Sequence, residues 1–136
     1  MAKAVEVIKY KCCECSVLLD FVKKYSADNY SESEVNTGAK WIDGSDIYKI
    51  TIKAKTAAAP QTYNTMAEIA DFKELVRLPD GYIYVSGTFV PFGYCNANWT
   101  DGIDVTVTAG GLVNETHYTA NYSNRDLTAT IYYTKK

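Results

Sequence analysis

The chain reads as a mainly β protein, an antiparallel β-sandwich preceded by a short N-terminal helical or mixed segment. Three observations carry this. Apolar and polar residues alternate with period two in several runs beyond residue 38, most clearly Tyr48, Ile50 and Ile52 against Lys49, Thr51 and Lys53. Glycine, proline and Asp/Asn clusters punctuate those runs at short intervals, as a fold built of six or seven short strands requires. Twelve of the 136 residues are tyrosine, a strand former whose ring can be half-buried while its hydroxyl stays wet.

Residues 1–28 stand apart as an N-terminal attachment or oligomerisation segment, with the sandwich domain spanning 29–136. Val5, Ile8, Cys12, Cys15, Leu19 and Val22 follow alternating three- and four-residue steps, the seam of a helix that associates with copies of itself. Val7, Val17, Leu18 and Phe21 lie off that seam, and a strand over 5–11 followed by a helix over 14–24 fits as well. Residues 26–38 are polar and turn-rich and read as a linker or loop.

The domain itself opens on Asp43-Gly44 between two apolar-rich runs, a hairpin signal because glycine supplies the positive φ of a tight turn. Pro60 closes the following strand, since it cannot donate to a ladder. Thr65-Met66-Ala67-Glu68 has capping-box spacing and predicts a short helical turn to Asp71, or a loop. Residues 75–78 form a short strand stopped by the turn Pro79-Asp80-Gly81. Residues 82–90 read as one run, with Ile83, Val85 and Phe89 on one face and Tyr82, Tyr84, Ser86 and Thr88 on the other. Ile103, Val105, Val107 and Ala109 alternate with Asp104, Thr106 and Thr108, and Gly110-Gly111 turns the chain into a strand over 112–118. The last strand sets Leu127, Ala129, Ile131 and Tyr133 opposite Thr128, Thr130, Tyr132 and Thr134.

Composition excludes several functions. Hydrophobic residues at 47% and charged residues at 22% suit one domain with a packed core. A net charge of -2 offers no basic field, so a nucleic-acid partner is not expected. No run approaches the roughly 18 to 20 apolar residues of a membrane span, so membrane insertion is not expected either. Glu6, Lys9, Lys11 and Glu14 interrupt the N-terminal apolar positions, unlike a secretory leader. Folding in a cytoplasm with reduced thiols is therefore the expectation.

The spelling of the opening segment adds a resemblance. Tyr30-Ser31-Glu32-Ser33-Glu34, followed by Trp41-Ile42-Asp43-Gly44-Ser45-Asp46-Ile47-Tyr48, resembles the Tyr-Ser-x-x-Glu and Trp-Ile-Asp-Gly-x-x-Ile-Tyr opening of a β-rich domain on bacteriophage tail fibres and other surface appendages. Residues 69–78 and the ending Tyr133-Thr134-Lys135 continue it over about 29–136, although the His-Gly pair often seen at the start of the middle segment is missing. The resemblance implies a virion structural protein: a small, usually homotrimeric appendage that coats the particle or binds a host-surface polysaccharide and does no chemistry. Its partners would be copies of itself, capsid or tail proteins, and the host polymer; its place would be the virion. Family members are commonly the end of a much longer fibre, whereas here a short segment precedes the motif. That segment is therefore expected to attach the appendage, and a head fibre or capsid decoration becomes as fitting as a tail fibre. The alternative is a free-standing carbohydrate-binding module.

Candidate ligand-binding residues cluster in one loop: Tyr94, Asn96, Asn98, Trp99 and Asp101. Aromatic faces complement the apolar face of a pyranose, and Asn or Asp satisfies its hydroxyls. Trp41 is expected in the core or an intersubunit interface. Cys12 and Cys15 have the spacing of half a zinc ribbon, but only Cys13, Cys95 and His117 remain as further donors, so no metal or cofactor is expected. His117, the sole histidine, has no nucleophile motif around it and reads as a hydrogen-bonded strand residue; no catalytic residue is expected. Asp101-Gly102-Ile103-Asp104 reads as a plain turn in preference to a calcium loop.

Overall fold

The computed structural model describes residues 30–93 and 101–136. The predicted seam at Val5, Ile8, Cys12, Cys15, Leu19 and Val22 lies outside the described residues, as do Tyr94, Cys95, Asn96, Asn98 and Trp99.

Two antiparallel sheets pack face to face, and the last strand, β9 (Asp126–Lys135), is the axis of the larger one. Its alternation buries Leu127, Ala129, Ile131 and Tyr133 to 1% exposure or less. Leu127 and Ile131 each stabilise the fold by about 1.5–3 kcal/mol. β2 (Asp46–Lys55) runs along one side of β9 in unbroken register, from Ile47↔Thr134 to Lys55↔Asp126. The other side is shared: β4 (Phe72–Leu75) pairs with its C-terminal part and β5 (Asp80–Val85) with its N-terminal part. β1 (Val35–Lys40) and β6 (Thr88–Pro91) form the edges. The second sheet has the order β3 (Asn64–Glu68), β8 (Leu112–His117), β7 (Ile103–Val107). Ile103, Val105 and Val113 from the small sheet meet Ile52, Ile83, Leu127 and Ile131 from the large one in a single core, closed by Ile69, Phe72 and Tyr122. The mainly β sandwich is thus the architecture.

Several local expectations give way. Residues 35–38, read as the end of a linker, instead open β1, which pairs along the edge of β2 and satisfies its backbone groups. Thr37 Oγ1 donates to Ile47 O at 2.8 Å there. Thr65-Met66-Ala67-Glu68 is not a helical turn; it lies in β3. Thr65 Oγ1 donates to Asn114 Oδ1 across the sheet at 2.7 Å instead of capping its own backbone, a tertiary ladder overriding a local cap. The strand predicted over 75–78 lies at Phe72–Leu75 instead and shares only Leu75 with the prediction, and Asp80-Gly81 opens β5 instead of forming a turn.

The largest correction is in residues 82–90. Ser86 and Gly87, with φ of 48° and 88°, form a two-residue hairpin turn, and Val85 pairs with Thr88 across it. The run is two strands, not one, and the turn reverses the parity of residues 88–91. Phe89 therefore pairs with Tyr84 on the tyrosine face, not with Ile83 on the core face. Trp41 is half-buried at the β1–β2 turn and is not among the side chains packed on the core.

Candidate functional site

The face of the large sheet turned away from the core carries side chains in rows set by the ladder register. Paired residues in an antiparallel sheet point to the same side. Thr51, Thr130 and Asp80 make one row; Lys53, Thr128, Tyr82 and Pro91 make the next. One step further come Lys55 and Asp126 on β2 and β9, with Tyr84 and Phe89 on the β5–β6 hairpin.

The first two rows floor a cavity of about 410 Å³, walled by Tyr30 and Tyr82 and bordered by Lys53, Asp80 and Gly81. That size lies within the range of roughly 300–1,000 Å³ typical of small-molecule sites. Thr51 Oγ1 and Thr130 Oγ1 lie 3.1 Å apart on its floor, a hydroxyl pair in which either oxygen can donate. The sheet can approach this closely because residue 81 is glycine: a Cβ there would sit 2.0 Å from Thr128 O. The charged side chains around the cavity are matched in pairs, Lys53 with Glu32 at 3.0 Å, Lys55 with Asp126 at 2.7 Å and Arg77 with Asp80 at 3.4 Å.

Three aromatic rings extend the cavity toward the sheet edge. Tyr82, Tyr84 and Phe89 are 39%, 46% and 62% exposed. Phe89 meets Tyr82 edge-on at a centroid distance of 4.9 Å and leans on Tyr84 at 5.1 Å, so the rings hold one another in place.

A second cluster lies in the interior. Glu115 and His117, two apart on β8, share a face and are both 0% exposed. His117 Nδ1 lies 2.6 Å from Glu115 Oε1, and Nε2 lies 3.0 Å from Ser123 Oγ. Ala57 N donates to Glu115 Oε2 at 2.9 Å, and Gln61 N donates to His117 O at 2.7 Å. The order Ser–His–Glu is that of a hydrolytic triad, which also needs amide donors aimed at a developing oxyanion. The amides around Ser123 are already used: Ser123 N donates to Ala120 O, Asn124 N to Ala57 O and Arg125 N to Thr56 Oγ1. Thr56 Oγ1 in turn donates to Tyr122 O. The cluster is a clasp joining β8, the β2–β3 connection and the turn before β9.

At the other end of β9, Glu34 accepts from Tyr133 Oη at 2.6 Å and Lys135 Nζ at 2.8 Å. Burial alone would raise the Glu34 pKa, but the bonds from Lys135 and Tyr133 outweigh it and hold the carboxyl below its ordinary value. Burial, followed by the bond to Glu34, raises the Tyr133 phenol.

Of the predicted ligand residues, Asp101 is the one among the described residues, partly buried at the entry to β7 and away from the cavity lining. Asp104 Oδ1 accepts from Val105 N at 2.9 Å. His117 is, as read from sequence, a hydrogen-bonded strand residue. Sequence reasoning missed the outer-face cavity, although the Thr and Lys alternation of β2 and β9 was visible; the Ser86-Gly87 turn was the signal for the aromatic cluster. Comparisons with protein-family models, with curated proteins and with solved structures return no match.

Proposed function

We propose that this chain is a bacteriophage surface appendage, a virion structural protein whose large-sheet outer face contacts a host-surface polysaccharide. The observation that carries the reading is the hydroxyl-floored, tyrosine-walled cavity between Tyr30 and Tyr82. It sits on a domain whose opening motif resembles that of phage appendage domains. The reading includes a homotrimer and attachment to the capsid or tail through residues 1–28. Binding without chemistry is favoured because the amides beside Ser123 are occupied and its His117 and Glu115 partners are sealed from solvent.

Immunogold labelling of particles produced by the encoding genome, with antibody raised against the purified chain, tests the assignment. Label on heads or tails is expected; unlabelled particles would overturn it. A free-standing carbohydrate-binding module uses the same cavity but needs no self-association. Sedimentation of the purified chain separates the two, a trimer supporting the appendage and a monomer the module.

A further inference from the structure

We propose that the Tyr30–Tyr82 cavity and the Tyr82–Tyr84–Phe89 cluster form one extended site for an uncharged, linear polysaccharide lying across the strands. This rests on the binding function proposed above and deepens it. The sheet order places β2, β9, β5 and β6 side by side. With about 4.8 Å between neighbouring strands, the path from Lys53 to the β6 edge is roughly 14 Å, about three pyranose units long.

Charge selects the class of polymer. Lys53, Lys55 and Arg77 are each within 3.4 Å of an acidic partner, so a polyanion would have to displace Glu32, Asp126 or Asp80 to gain an ion pair. Hydroxyl groups need no such exchange. Thr51 and Thr130, 6% and 5% exposed and bonded to each other, keep one O–H and their remaining lone pairs for a sugar hydroxyl. The aromatic cluster supplies the apolar contact for ring faces. Its rings are already fixed against one another, which lowers the entropy lost on binding.

The test is calorimetric titration of the full chain with a panel of neutral linear gluco-, manno- and galacto-oligosaccharides of two, four and six units, and with polygalacturonate as the anionic contrast. At least one neutral series is expected to bind about tenfold tighter at four units than at two, then to level off. Tyr84→Ala combined with Phe89→Ala is expected to abolish the gain from two units to four, so that both lengths bind the variant alike. Both residues are exposed, so an unfolding midpoint close to the parent's is expected and checks the fold. Equal affinity at all lengths, with the double variant indifferent, would refute the extended site and leave cavity binding standing. Stronger binding of polygalacturonate, or silence toward the whole neutral panel, would refute the polymer class; particle labelling decides the appendage role separately. Should the double variant instead dissociate an oligomer with ligand binding intact, the aromatic cluster is a contact between copies and the inference fails.

Discussion

Truncating Glu115 is the sharpest perturbation of this fold. Its two carboxylate oxygens, fully enclosed, hold the Ala57 amide and the His117 imidazole. Glu115→Ala orphans both, at about 1–3 kcal/mol for each buried polar group left without a partner. A loss of about 3 kcal/mol is therefore expected. Glu115→Gln keeps an acceptor for Ala57 and a partner for His117 and should lose about 1 kcal/mol. Asp126→Ala, which removes only the exposed bridge to Lys55, should lose less than about 0.5 kcal/mol. Urea unfolding followed by tryptophan fluorescence reads all three; with a slope near 2 kcal/mol/M, the alanine variant's midpoint falls by roughly 1.5 M. A Glu115→Ala protein within about 0.5 kcal/mol of the parent would refute the clasp.

Glycine and carboxylate variants, and the reactivity of Ser123, extend these expectations. Gly111→Ala places a Cβ 2.4 Å from Ile69 O and 2.8 Å from Phe72 Cβ, and should cost about 2–3 kcal/mol in the same unfolding assay. Gly44→Ala, also at positive φ but in open space, should cost only about 1 kcal/mol. Because the folded Glu34 carboxyl sits below its ordinary value, its stabilisation is present above the unfolded carboxylate pKa and is lost as pH falls through the folded one. Glu34→Gln should thus be less stable than the parent at pH 7, with the gap closing below about pH 4 in a pH series of melts. Ser123 should stay unmodified by a fluorophosphonate under conditions that label serine hydrolases; stoichiometric labelling found by mass spectrometry would revive an enzymatic reading.

Much of the fold was legible because period two survives wherever one face is buried. The alternation of β9 named its core face correctly, and Asp43-Gly44 and Gly110-Gly111 marked real turns, with Gly44 and Gly111 at φ of 85° and 86°. What failed were segments whose state is decided by a distant neighbour. Nothing local makes residues 35–40 or 64–68 strands; β2 and β8 do, by offering ladders their backbones can complete. The two-residue turn at Ser86-Gly87 was hidden because alternation on either side looked continuous, and missing it put Phe89 on the wrong face. The site suffered for the same reason. Its rows join residues more than forty positions apart, Lys53 to Thr128 to Tyr82, and no window of sequence displays that neighbourhood. The clasp was partly within reach, since Glu115 and His117 at two-residue spacing on a strand share a face, but Ser123 and Ala57 were not.

Competition with adsorption probes the proposed contact between the large-sheet face and the host surface. On the proposed appendage role, purified chain is added to host cells before phage particles carrying the gene, alongside a Thr128→Arg variant that plugs the middle of the cavity. The parent chain is expected to slow adsorption in proportion to its concentration, and the folded Thr128→Arg chain to leave it unchanged. Equal blocking by both would move the contact off this face. No blocking by either would contradict host binding altogether.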